Sequence, residues 1–93
     1  MSISIKKLSD DVFEATVAKT STTTHTVTVT DQSLTDLTGN NVTKTHLLEF
    51  SFKFLLEREP NTSILSSFDI NGITKYFPDY REEVRQWCNE SQN

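Results

Sequence analysis

The chain predicts an α+β fold: an N-terminal three-stranded antiparallel meander followed by a short helix, a long apolar helix and shorter C-terminal helices. Two observations carry that reading. Up to about Thr30 apolar and polar residues alternate with period two, and beyond it the spacing turns helical. The polar gaps in the first part are of turn length, which favours antiparallel neighbours. With 93 residues, one domain over 1–93 is expected.

Ile3 and Ile5 alternate with Ser2 and Ser4 in a strand over about 2–7. Phe13, Ala15 and Val17 alternate with Glu14, Thr16 and Ala18 over about 12–18. His25, Val27 and Val29 alternate with threonines over about 24–30. One face is therefore apolar and the other a lawn of hydroxyls, which β-branched threonine suits.

Asp31 is placed to cap a short helix over about 32–38, stopped by Gly39, the residue suited to a left-handed end. Thr43 or Thr45 caps the next helix, over about 44–58, because Pro60 forbids continuation. Around that helix Leu47, Leu48, Phe50, Phe52, Phe54, Leu55 and Leu56 cover more than half the circumference. His46, Glu49, Lys53 and Glu57 form its polar stripe, with Glu49–Lys53 and Lys53–Glu57 spaced for ion pairs. Such a helix needs cover from the sheet or from a second subunit, so a homodimer is one expected arrangement. Two shorter helices follow over about 70–76 and 78–88, with Asp69 as the cap of the first and Pro78 opening the second.

Composition excludes more than it specifies. Hydrophobic residues make up only 34%, and 14 threonines and 10 serines fill the gap. Two glycines leave no phosphate-cradling loop, and neither histidine stands at metal-ligand spacing. The paired carboxylates Asp10-Asp11 and Glu82-Glu83 fall at a turn and a helix start, where acids are solvated caps. No catalytic constellation, metal or cofactor is expected. A net charge of −4 argues against nucleic acid. One cysteine and no long apolar stretch point to a cytoplasmic protein without a membrane span. Arg58, Glu59, Tyr76 and Tyr80, beside the proline-bounded turns, are the expected contacts with a protein partner of unknown identity.

Two family resemblances add expectations. His25 to Arg58, with HTVTVTD leading through a short helix and a V-T turn to LLEFSFKFLLER, resembles the ribbon-helix-helix DNA-binding proteins. That resemblance implies paired strands in the major groove, with Thr24, Thr26 and Thr28 facing bases and Thr43 near phosphate. Over Thr23 to Arg85, the runs THTVTV, LTG, SFKFLLEREPNTSIL and ITKYFPDY resemble a small uncharacterised bacterial family, a domain of unknown function. It implies a compact cytoplasmic bacterial protein. The expected role is a non-catalytic binding or regulatory module, with DNA-binding regulation as the alternative.

Overall fold

The computed structural model describes residues 2–39 and 42–91, and among them the chain forms one four-stranded sheet and four helices. Strands β1 (Ser2–Lys7), β2 (Val12–Ala18) and β3 (Thr22–Thr28) pair antiparallel in chain order. Their alternation sends Phe13, Ala15, Val17, His25 and Val27 into the core. The opposite face, with the rows Ser4–Thr16–Thr24 and Lys6–Glu14–Thr26, stays open. The third strand starts at Thr22 rather than Thr24, because Thr22 pairs with Ala18 across the turn. It ends at Thr28, since Thr30 is already committed to the next helix.

Helix α1 (Asp31–Thr38) is capped by Thr30 rather than Asp31: the Thr30 hydroxyl accepts the Ser33 N–H at 3.1 Å. Gly39 ends it at φ 70°, where a side chain would be strained, and donates its N–H to Thr35 at 2.9 Å. Helix α2 (Lys44–Leu56) is capped by Thr43, whose hydroxyl accepts the His46 N–H at 3.1 Å. It stops at Leu56, short of Arg58, as the N–H groups of Arg58 and Glu59 both turn back onto the Leu55 carbonyl. With 13 residues it is of ordinary length, not a long helix. Its polar stripe makes neither expected ion pair among the described residues.

A further strand escaped the sequence pattern. After a 3-10 turn over Asn61–Ser63, β4 (Ser67–Asp69) joins β3 in parallel, with Thr26, Val27 and Thr28 opposite Ser67, Phe68 and Asp69. A parallel pair requires a crossover, and α1 and α2 provide it. The helix expected over 70–76 divides into a 3-10 turn (Ile70–Gly72) and the four-residue α3 (Ile73–Tyr76). Asp69 caps that turn by accepting the Asn71 N–H at 2.9 Å. Pro78 precedes the final helix instead of opening it, and α4 runs over Tyr80–Ser91.

Helix α2 is enclosed within its own chain. Phe52 faces the sheet, 5.4 Å from the His25 ring and 6.2 Å from Phe68. On its other side Phe50 stacks on Trp87 at 4.8 Å, and Phe54 meets Tyr80 edge-on at 5.2 Å. That double cover explains why apolar residues occupy more than half its circumference. No second subunit is required for it.

Candidate functional site

An apolar groove of about 540 Å³ is lined by the end of α2, the loop into β4, β4 itself and the segment around α3. The end of α2 contributes Leu55, and the loop into β4 contributes Ile64 and Leu65. Phe68 of β4 and Ile73, Tyr76 and Phe77 around α3 complete the apolar lining. Three large apolar side chains are exposed among the described residues, and two of them stand at this groove: Leu65, 52% exposed, and Tyr76, 69% exposed. Its charged lining consists of Glu59, Asp69 and Lys75, and none of them makes an ion pair among the described residues.

The loop that shapes the groove is fastened from beneath by a buried polar chain. Asn61 is buried and donates its side-chain N–H groups to the Ser21 carbonyl at 2.9 Å and the Thr23 hydroxyl at 3.0 Å. His25, 2% exposed, bonds Thr23 through Nε2 and the Leu65 carbonyl through Nδ1, both at 2.8 Å. A carbonyl only accepts, so Nδ1 carries the proton and Nε2 accepts the Thr23 hydroxyl. Every donor in the chain then has an acceptor, and the imidazole has no nitrogen left for a metal.

Two of the four expected contact residues, Glu59 and Tyr76, come together at the groove. Arg58 stands behind it and holds architecture. Its guanidinium lies 3.6 Å from the Phe54 ring centroid, donates to the Phe54 carbonyl at 3.0 Å and reaches Asp79 at 2.9 Å. Tyr80 is 0% exposed, so it offers a partner nothing. Ser51 gives its proton to the Leu47 carbonyl at 2.7 Å, which leaves the Tyr80 phenol to donate to Ser51. Burial pushes the Tyr80 phenol well up; the Ser51 bond pulls the other way, and Cys88 adds to the rise. Burial also raises the Cys88 thiol.

Thr24, Thr26 and Thr28 lie on the open face of the sheet, whereas Thr43 caps α2 on the opposite side. The structure does not bring those four residues together. A separate charge cluster joins the β1–β2 turn to α1. Lys44 Nζ, with its side chain 13% exposed, contacts the Asp10 carbonyl at 2.8 Å, Asp31 at 2.9 Å and Asp11 at 3.1 Å. Burial alone would lower the Lys44 ammonium, but the bonds to Asp31 and Asp11 outweigh it and the net shift is upward. Asp31 is held below its ordinary value by the Lys44 hydrogen bond and charge.

Sequence reasoning missed Leu65, Gly72 and Lys75. The stretch from Ser63 to Asp69 is too irregular to fit a helix or a strand, and Gly72 and Lys75 fall within the helix expected over about 70–76, where nothing marks them as contacts. Among the described residues no helix is long and apolar enough to cross a membrane. Comparison with family models, curated proteins and solved structures finds no match to this chain.

Proposed function

We propose that this chain is a small cytoplasmic binding module, without catalysis or cofactor, whose apolar groove beside α3 receives a protein partner. The observation that carries this reading is the groove itself, where Leu65 and Tyr76 stand exposed over an apolar floor. The groups that chemistry would recruit lie elsewhere: His25, Tyr80 and Cys88 are sealed in the core and committed to packing or hydrogen bonds.

The test uses Gly72, which lines the groove. A Cβ built there meets nothing within 4 Å, so Gly72→Trp puts an indole into the groove without a clash at its base. A phage-displayed library of random peptides, selected on the wild-type protein, yields binders that Gly72→Trp rejects. If no selected peptide distinguishes the two proteins, the groove is not a binding site.

DNA-binding regulation is the second reading, and the open hydroxyl face of the sheet is what favours it. Two features weigh against it. Strand β3 is hydrogen-bonded to β2 along its length and to β4 over Thr26–Thr28, which takes up nearly half of the edge that a ribbon with a second copy would need. The charges on that face are Lys6 against Glu14 and Asp69, which gives phosphate little attraction. No retention on duplex DNA at about 50 mM salt is expected, and tight, salt-sensitive retention would reverse the order of the readings.

A further inference from the structure

We infer that the groove's occupant is an extended peptide that adds as a fifth strand to the outer edge of β4, with an apolar side chain in the groove and a basic residue beside it. This rests on the groove being the binding surface, and three observations specify the ligand.

The first is the unpaired edge. Sheet order places β4 last, with β3 on one side only. The Thr26 N–H bonds the Ser66 carbonyl at 2.8 Å, and Thr26 stands opposite Ser67. In a parallel ladder alternate residues bond the neighbour, so Phe68 turns its amide and carbonyl to β3 and Ser67 turns its own outward. The adjoining residues Phe68 and Asp69 line the groove, so an extended backbone pairing with Ser67 runs along its mouth.

Gly72 is the second. The chain has two glycines, and Gly39 occupies a left-handed cap that requires one. Gly72 sits at φ −64° and ψ −24°, a conformation open to any residue, with free space where its Cβ would be. Nothing within the fold calls for a glycine there. Close approach of another backbone does.

Charge is the third. Two carboxylates, Glu59 and Asp69, face one ammonium, Lys75, in the groove lining, and the chain as a whole carries −4. An extended segment with Lys or Arg next to its apolar anchor complements that balance, whereas an acidic one does not.

The experiment takes a synthetic peptide recovered from the library selection and methylates its backbone nitrogens one at a time. The edge offers one outward carbonyl, that of Ser67, so methylation weakens binding about tenfold or more at the one peptide amide that meets it and little elsewhere. Ser67→Pro, which removes the outward N–H, abolishes binding with the same apolar contacts available. Glu59→Gln weakens it about threefold, more at low salt than at high. Indifference to N-methylation at every position overturns strand addition while leaving groove binding intact. A helical peptide in the bound state, read from its nuclear Overhauser effects, does the same. The N-methyl series needs no protein variant, so misfolding of Ser67→Pro cannot obscure the answer.

Discussion

Arg58 and His25 show how single side chains join segments that are distant in the chain. Arg58 combines a ring contact, a carbonyl at the end of α2 and a carboxylate at Asp79 in one planar group. Lysine keeps the charge but not the stack or the fork, so Arg58→Lys costs about 1 kcal/mol in a urea titration. An unchanged midpoint would mean the contact is incidental. His25 makes a qualitative claim. Because its Nδ1 faces a carbonyl, long-range proton–nitrogen correlation at neutral pH should show the proton on Nδ1. A proton on Nε2 would contradict the whole chain from Asn61 to Leu65.

At the scale of elements, the two glycines make opposite predictions. Gly39→Ala strains a left-handed cap and destabilises by about 1 kcal/mol. Gly72→Ala suits its local backbone and stabilises by about 0.5 kcal/mol, provided the added methyl meets only open space. Thermal midpoints of the two variants, moving in opposite directions, check both. The elements that sequence reading recovered are those whose signal is local. Strands β1 to β3 announce themselves through several alternations each, and Thr43 and Gly39 mark helix ends by chemistry confined to one turn. Strand β4 is only Ser67–Asp69, too short to display a period, and its partner lies far back in the chain. Glu59 and Tyr76 are singled out in the sequence because prolines mark the turns beside them, and both line the groove. Leu65, Gly72 and Lys75 are near one another in the chain but follow neither a strand nor a helix period of apolar residues, so no spacing picks them out. Tyr80 fails as a contact for a related reason: an amphipathic ring beside a turn looks alike from the sequence whether it faces solvent or, as here, closes a core.

At the scale of the whole molecule, three raised groups tie stability to alkaline pH. The Cys88 thiol, the Tyr80 phenol and the Lys44 ammonium all hold their protons in the folded state beyond their ordinary values of 9.0, 10.0 and 10.5. Each raised group contributes stability in full below its unfolded value and loses it as pH rises through the folded one. The unfolding free energy from urea titrations should therefore fall from about pH 9 upward, by at most about 1.4 kcal/mol per unit for each group. Tyr80→Phe makes the fall shallower, and a level profile to about pH 11 would discount these shifts. On the acid side Asp31, whose carboxyl is lowered, contributes above its ordinary 3.8 and weakens as pH falls. The parallel pairing of β3 with β4 has one more consequence, and it concerns the order of assembly. The β1–β3 meander closes through short turns, whereas His25 must find Leu65, 40 residues on, before β4 can dock. The groove is therefore expected to form last and to open first, as its closing contacts span a long loop. Native-state hydrogen exchange should release the Phe68 amide through a partial opening that leaves Ala15 and Val17 protected. A ligand seated there would act as a late folding partner, closing the slowest part of the protein around itself.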